Sequence, residues 1–209
     1  MGRLKNLSHD DLFIVFLTIT SFYTNPPNIF STLDLLTMAN SIDYRSYIAN
    51  IEDFPSPGIL YRDIQPLLAD NHAFTSAIDD IVELTDQKPD YWVGIESRGF
   101  IIAAALAARH GGGIRLIRKK GKLPNANLVQ LSYKLEYGSD TIEMTPAVSD
   151  GGASVEPFVI LVDDVYATGG TLNASADLCA KAGFRVLDKL CLLDIGLVQT
   201  HDVKCLITY

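Results

Sequence analysis

The chain has 209 residues, of which 48% are hydrophobic and 20% are charged, proportions typical of a globular protein with a sizeable core. That length suits one α/β domain or at most two small ones. The formal net charge is −8, which argues against DNA or RNA as a general partner, because binding along a phosphate backbone needs clustered lysines and arginines. An anionic ligand would therefore need a local group of cations.

The three cysteines, Cys179, Cys191 and Cys205, are odd in number and widely spaced along the chain. This pattern argues against both a disulfide framework and a zinc site. It is typical of apolar thiols buried in a protein of the reducing cytoplasm, and we predict that location.

Residues 1–37 differ in character from the rest. Their apolar run, residues 12–23, is shorter than the about 20 residues that a membrane span needs. Asp10 and Asp11 directly precede the run and no convincing cleavage site follows it, so a secretory signal is not favoured. We predict no membrane association, an extension at residues 1–37 that is disordered or not translated, and a domain at residues 38–209 that starts at Met38.

From residue 91 onward, strand-like and helix-like segments alternate. Short apolar runs predict strands, and longer apolar or alanine-rich runs that end at glycine predict helices. Their alternation predicts an α/β fold, a mostly parallel twisted sheet flanked by helices. The predicted strands are residues 91–95, 114–117, 158–162, 186–193 and 203–207, and the predicted helices are residues 100–109 and 171–182.

Between residues 118 and 157 the pattern is weaker, with frequent glycine, proline, asparagine and charged residues. Leu131 to Gly138 predicts one arm of a hairpin. A long excursion of this kind inside a compact domain is typical of a lid or binding loop.

A loop with two acids and several small residues follows the strand predicted at residues 158–162. Its carboxylates, from Asp163 and Asp164, suit ribose hydroxyls or Mg²⁺. Its small residues allow backbone N–H groups to surround a phosphate, and the helix after it adds its N-terminal dipole. Ligands bind beyond the carboxyl ends of strands in such sheets. We therefore predict a sugar-phosphate site formed by Asp163, Asp164, Ala167, Thr168, Gly169, Gly170 and Thr171.

Paired acids or paired glycines alone are common in turns, and only their complete order indicates a phosphate site. The segment contains neither the Gly-Lys-Ser/Thr of the P-loop nor a Gly-x-Gly-x-x-Gly pattern.

Five segments, in order, carry a resemblance to a known family. Residues 159–171 (VILVDDVYATGGT) resemble the phosphoribosyl-diphosphate signature of the type I phosphoribosyltransferases. Four further segments resemble the adenine-specific members of that family over residues 44–209. They are the base-binding segment at residues 54–64 (FPSPGILYRDI), the diphosphate loop at residues 94–100 (GIESRGF), and the flexible region at residues 117–124 (IRKKGKLP) and 133–138 (YKLEYG).

The resemblance implies purine salvage, the transfer of a phosphoribosyl group to adenine to give AMP and diphosphate. It implies Mg²⁺ held mainly by diphosphate and ribose oxygens, with no dedicated protein cage. Ser97 and Arg98 would bind the diphosphate, Arg98 with a catalytic role, and Arg118, Lys119 and Lys122 would complete the cationic group. In similar enzymes some of these cations reach the neighbouring subunit, so a homodimer is implied. Without the resemblance, the basic run would be interpreted as a solvated surface.

Five further residues receive roles from the resemblance. Glu136 matches the position given to general acid/base chemistry on the purine, and Tyr137 would help to close the site. Adenine would be bound by Leu60, Tyr61 and Arg62, with the ring of Tyr61 stacked on the base. Taken alone, Glu136 would be interpreted as a surface carboxylate and Tyr61 as a half-buried core aromatic.

Two other functions remain open from the sequence. One is a phosphoribosyltransferase for another base, which residues 54–64 argue against. The other is a non-catalytic regulator that senses phosphoribosyl diphosphate. A regulator of that kind should carry a nucleic-acid-binding module, yet Arg3 and Lys5 are the only lysine or arginine residues among residues 1–37.

Overall fold

The structure, a computed structural model, describes residues 42–124, 127–135, 138–147, 156–198 and 202–209. The extension predicted at residues 1–37, and the functional residues Glu136 and Tyr137, lie outside the described residues. In the part of the chain that is described, no helix is both long and apolar enough to cross a membrane.

The described part of the chain begins with a short 3-10 helix (Tyr44–Tyr47) and a two-stranded antiparallel ribbon, followed by alternating helices and strands. The ribbon consists of β1 (Ala49–Ile51) and β2 (Tyr61–Asp63). The other strands are β3 (Tyr91–Ile95), β4 (Gly113–Lys119), β5 (Val129–Leu135), β6 (Gly138–Met144), β7 (Phe158–Tyr166), β8 (Arg185–Asp194) and β9 (Lys204–Thr208), and the helices are α1 (Gln65–Ala69), α2 (Asn71–Val82), α3 (Gly99–His110) and α4 (Gly170–Lys181).

The central sheet has seven strands in the order β5-β6-β4-β3-β7-β8-β9. The five strands from β4 to β9 in that order are parallel, and β6 and β5 join the edge as an antiparallel hairpin. The predicted fold class is therefore confirmed. Each strand and helix predicted after residue 91 is present, and their ends differ from the predicted ones by a few residues.

The middle of the sheet is buried on both faces, which explains its unbroken apolar sequence. The side chains of Val159, Ile160, Leu161 and Val162 in β7 are all fully buried. Helix α3 packs closely on β3 and β7 because glycines remove side chains at the contact. A Cβ atom at Gly99 would lie 2.6 Å from the carbonyl oxygen of Val162. This close approach holds the start of α3 at the carboxyl edge of the sheet.

The loop after β7 is shorter than the sequence predicts. We expected the acidic pair to follow the strand, but β7 continues through Asp163 and Asp164 to Tyr166. Pairing with β3 ends at Val162, whereas pairing with β8 continues to the end of β7. The ring of Tyr166 is buried in the core, which favours the extended backbone up to that point. Both carboxylates therefore lie on a strand rather than on a loop.

The predicted hairpin arm is present, with shifted ends. Its first strand is Val129–Leu135, and Gly138 opens the second strand. The alternate side chains Val129, Leu131 and Tyr133 pack against the core, as expected for an edge strand with one covered face.

All three cysteines are free thiols. Cys179 and Cys191 are buried, and Cys205 is partly buried beside Cys191 on the neighbouring strand. Burial raises the pKa of the Cys179 thiol to about 12.

Candidate active site

The carboxyl edge of β3, β4 and β7 and the start of α3 enclose a cavity of about 270 Å³ beneath the β5–β6 hairpin. Three isoleucines form its apolar part, and acidic, basic and hydroxyl side chains complete it. The lining residues are Ile95, Glu96, Ser97, Arg98, Ile117, Lys119, Tyr133, Asp140, Ile142, Asp163, Asp164 and Thr171. Six of the predicted site residues thus meet in one cavity, namely Ser97, Arg98, Lys119, Asp163, Asp164 and Thr171.

Asp163 and Asp164 form a closely spaced acidic pair. Burial, and then the charge of Asp164, raise the pKa of Asp163 well above its usual range. Burial also raises the pKa of Asp164, although Arg98 opposes that shift. Within the described residues, the buried Oδ2 of Asp164 receives no hydrogen bond, although it lies 2.7 Å from Arg98 Nε. Each carboxylate oxygen can accept more than one hydrogen bond, so the pair has further acceptor capacity for ligand hydroxyls or a cation.

Arg98 links the acidic pair to the predicted base-binding segment. It immediately precedes α3, and its guanidinium forms the ion pair with Asp164. Its NH1 group donates a hydrogen bond of 2.8 Å to the hydroxyl of Tyr61, and the guanidinium lies 5.0 Å from the centroid of that ring. Arg98 therefore spans the space between the cavity and β2.

The predicted cations at the end of β4 are paired with carboxylates. Arg118 NH2 lies 3.2 Å from Glu96 Oε1, and the backbone N–H of Lys119 donates to Glu96 at 2.9 Å. Burial tends to raise the pKa of Glu96, but these two groups outweigh it and the pKa is lowered. Lys119 Nζ lies 3.2 Å from Asp140 Oδ2. Arg118 and Lys119 thus each have a carboxylate partner beside the cavity.

The segment predicted to bind phosphate forms a second, smaller cavity of about 90 Å³. Its lining contains every residue from Ala167 to Thr171, and Asp163 and Thr171 also line the larger cavity. Gly169 caps α4 with φ +80°, a conformation that side chains disfavour, and an added Cβ would lie 3.0 Å from the Tyr166 ring. The first N–H groups of α4 are therefore available to an anion.

Besides Glu96 and the three isoleucines, sequence reasoning missed two residues of the larger cavity, Tyr133 and Asp140. They face each other across the hairpin in the β5–β6 register. The hydroxyl of Tyr133 lies 3.3 Å from Thr171 Oγ1, so the hairpin touches the phosphate segment directly. The alternation of Val129, Leu131 and Tyr133 was the available signal, because it places Tyr133 on the covered face.

The three residues expected to bind adenine lie beside the larger cavity and are not among its described lining residues. Leu60 is 46% exposed. Tyr61 packs edge-on against Phe54, with ring centroids 5.1 Å apart, and contacts Arg98, which lines the cavity. The Arg62 guanidinium lies 3.9 Å above the Tyr209 ring. Stacking of Tyr61 on a base thus stays a prediction.

Comparison with known proteins gives one consistent answer. Residues 67–204 match the model of the Phosphoribosyl transferase domain. The chain is 41% identical over 162 residues to the adenine phosphoribosyltransferase of Rhodospirillum rubrum, covering 77% of this chain and 92% of that one.

Two solved structures agree with this result. The adenine phosphoribosyltransferase of Thermoanaerobacter pseudethanolicus superposes with a TM-score of 0.71 at 36% identity, covering 80% of this chain and 98% of that one. The Giardia lamblia enzyme, complexed with 9-deazaadenine, gives 0.69 at 30% identity, with coverages of 80% and 96%. The chain belongs to the phosphoribosyltransferase family, and within it to the adenine phosphoribosyltransferases, which are pentosyltransferases.

Proposed function

We propose that the two joined cavities form the site at which this enzyme makes AMP and diphosphate from adenine and 5-phosphoribosyl 1-diphosphate. The observation that carries the proposal is the sharing of Asp163 and Thr171 between a small cavity with helix N–H groups and a larger cavity with cations. One ligand with a phosphate at one end, hydroxyls in the middle and a diphosphate at the other matches that order.

The small cavity would hold the 5-phosphate. Its residues Ala167, Thr168, Gly169, Gly170 and Thr171 offer backbone N–H groups, two hydroxyls and the N-terminal dipole of α4. The acidic pair next to it would accept hydrogen bonds from the ribose hydroxyls, for which its carboxylate oxygens have acceptor capacity. This end of the site would anchor the substrate.

The larger cavity would hold the diphosphate. As the bond at C1′ breaks, negative charge grows on the leaving oxygens, and cations fixed beside them stabilise the transition state. Arg98 and Lys119 line that cavity, together with Ser97, whereas Arg118 and Lys122 lie next to it. Arg98 contacts both the acidic pair and Tyr61. It therefore lies between the positions proposed for the ribose hydroxyls and for adenine.

Mg²⁺ fits this donor set, because it prefers oxygen ligands and substrate phosphates. Among the described residues, no group of three or more acidic, histidine or cysteine side chains is arranged to hold a metal. Asp163 and Asp164 would therefore support an ion held mainly by substrate oxygens, and that ion would neutralise diphosphate charge.

Adenine would lie towards β2, between Leu60, Tyr61 and Arg62. The contact of Tyr61 with Arg98 supports this position, because it brings the segment to the edge of the cavity. Glu136 would take the proton that adenine loses as it attacks C1′, and Tyr137 would help to close the site. These two residues follow β5 directly, and β5 reaches the site through Tyr133.

We also propose a homodimer in the cytoplasm. Large apolar side chains on neighbouring elements, Ile101 of α3 and Ile114 and Leu116 of β4, are each about 40% exposed in the single chain. A second copy would cover them. The adjacency of two free thiols, Cys191 and Cys205, suits a reducing compartment. Light scattering that gives the mass of one chain would contradict the dimer.

The decisive experiment measures AMP formation from adenine and phosphoribosyl diphosphate, with and without Mg²⁺. Hypoxanthine, guanine, xanthine and orotate serve as alternative bases under the same conditions. We expect turnover with adenine alone, and a strong dependence on Mg²⁺. Turnover of another base without adenine would overturn the substrate assignment. Binding of phosphoribosyl diphosphate without turnover of any base would favour a sensor instead.

A further inference from the structure

Glu143 is a buried carboxylate that the proposed reaction does not use. It lies in β6 with 1% of its surface exposed. In the described part of the chain no lysine or arginine forms an ion pair with it. A buried charge without a counterion is costly unless hydrogen bonds satisfy it, so its partners identify what it holds in place.

The partners of Glu143 come from two separate segments. Its Oε1 accepts hydrogen bonds from the backbone N–H groups of Lys122 at 3.0 Å and Leu123 at 3.1 Å. Its Oε2 accepts one of 3.0 Å from the side chain of Gln130 in β5. Burial tends to raise the pKa of Glu143, but the N–H groups of residues 121–123 and Gln130 outweigh it, so the pKa is lowered and the group is ionised.

The turn at residues 121–123, which Glu143 binds, also contacts Arg118, a proposed cation of the diphosphate end. Arg118 is the register partner of Glu143 between β4 and β6. The NH1 group of Arg118 donates to the carbonyl oxygen of Lys122 at 3.1 Å, and the backbone N–H of Lys122 is bound by Glu143. The same guanidinium meets Glu96, which lines the larger cavity. A displacement of the turn would therefore remove one of the contacts that orient Arg118.

We propose that Glu143 is a positioning residue for the diphosphate end of the site. It touches no reacting atom; it fixes the turn at residues 121–123 and, through the carbonyl oxygen of Lys122, the guanidinium of Arg118. Through Gln130 it also fastens the same turn to the hairpin. This inference rests on the proposed role of Arg118 in diphosphate binding. The competing explanation is that Glu143 serves the stability of the hairpin alone.

The first test compares three variants with the wild type. Glu143→Ala frees the turn, so we expect the KM for phosphoribosyl diphosphate to rise about tenfold while the KM for adenine stays within about twofold. Glu143→Gln keeps an acceptor oxygen and should restore the first KM to within about threefold of the wild-type value. Met144→Ala removes the neighbouring fully buried side chain of β6 and should lower the melting temperature without moving either KM.

A double-mutant cycle then separates the inference from the function on which it rests. If Glu143 acts through Arg118, the Glu143→Ala/Arg118→Ala enzyme should have the same KM for phosphoribosyl diphosphate as Arg118→Ala alone. An unchanged KM in Arg118→Ala would remove Arg118 from the site. A raised KM in that variant, combined with an unchanged KM in Glu143→Ala or with independent effects in the double variant, would leave the function intact and overturn the inference. Equal rises in Glu143→Ala and Met144→Ala would assign Glu143 to stability alone.

Discussion

The two ends of the candidate site differ in the groups that would bind an anion. The phosphate segment at residues 167–171 offers backbone and small side chains. It includes the first N–H groups of α4, which have no partner within the helix. The diphosphate end is made of long charged side chains, and three of its cations have carboxylate partners. Those pairs are Arg98 with Asp164, Arg118 with Glu96, and Lys119 with Asp140.

The two ends would therefore bind their anions differently. An anion entering the phosphate segment meets the first N–H groups of α4, which have no partner within the helix, and no ion pair has to be broken before it binds. A diphosphate entering the other end competes with carboxylates for each cation. The exchange becomes more favourable as negative charge grows on the leaving oxygens, because the cations then gain more from the ligand than they lose. The first end is thus suited to anchoring the substrate, and the second to stabilising the transition state.

The largest expected effect is at Glu136, which is assigned to proton transfer and to neither of the two anion-binding ends. Glu136→Gln should lower kcat by roughly 10²–10⁴, the usual contribution of a general acid or base. Its KM for phosphoribosyl diphosphate should change little, because the anchor is intact. Single-turnover kinetics would show whether the chemical step is the slow one. An unchanged rate of that step would remove Glu136 from the mechanism.

The next effect tests the pairing of Arg98 with Asp164. Arg98→Met should lower kcat by about 10²–10³, because it removes a donor to the leaving group. It also leaves the buried carboxylate unpaired, so the melting temperature should fall by roughly 5 °C. Adding Asp164→Asn should recover most of that stability and none of the activity. Recovery of activity in the double variant would mean that Arg98 serves only to neutralise Asp164.

A smaller effect tests whether the anchor depends on its backbone. Gly169→Ala places a side chain at positive φ and 3.0 Å from the Tyr166 ring, so kcat/KM for phosphoribosyl diphosphate should fall about tenfold. Gly183 lies beyond the other end of α4 with φ +83°, and a Cβ there meets only ordinary contacts. Gly183→Ala should cost similar stability but leave kcat/KM within about twofold. Equal losses of kcat/KM would show that the backbone at Gly169 has no special role in binding.

The local geometry of the phosphate segment was the part of the candidate site that the sequence predicted best. Its residues are contiguous, and the order of strand, acids, small residues and helix constrains the backbone directly. Even there the sequence placed the acids wrongly, because the pairing of β7 with β8 keeps Asp163 and Asp164 in the strand. That pairing depends on residues about 30 positions away, which no local pattern contains.

The diphosphate end was predicted only in part, because its geometry comes from contacts between distant segments. Arg118 and Lys119 were proposed from the sequence, but their partners Glu96 and Asp140 lie more than 20 positions away along the chain. The sequence around Glu143 contains no pattern that indicates a role for it. An acid within a half-buried strand resembles a surface residue until the turn at residues 121–123 is seen to bind it.

The smallest expected effect concerns Lys119 and Asp140, the most exposed of the three ion pairs at the diphosphate end. Lys119 and Asp140 are 61% and 25% exposed, so their ion pair contributes little, about 0.2–1 kcal/mol. Asp140→Asn would release Lys119 for the diphosphate, and the KM for phosphoribosyl diphosphate should fall about twofold at low salt and return to the wild-type value at high salt. Asp79→Asn is the matched control, because Asp79 pairs with Arg109 at the opposite end of α3.

Both variants change the net charge of the chain equally, so a lower KM in both would indicate a general electrostatic attraction. A lower KM in Asp140→Asn alone would show that the carboxylate competes with the substrate for Lys119. A higher KM in Asp140→Asn would mean that Asp140 holds Lys119 in its binding position, and that the pairs at this end assist binding instead of opposing it.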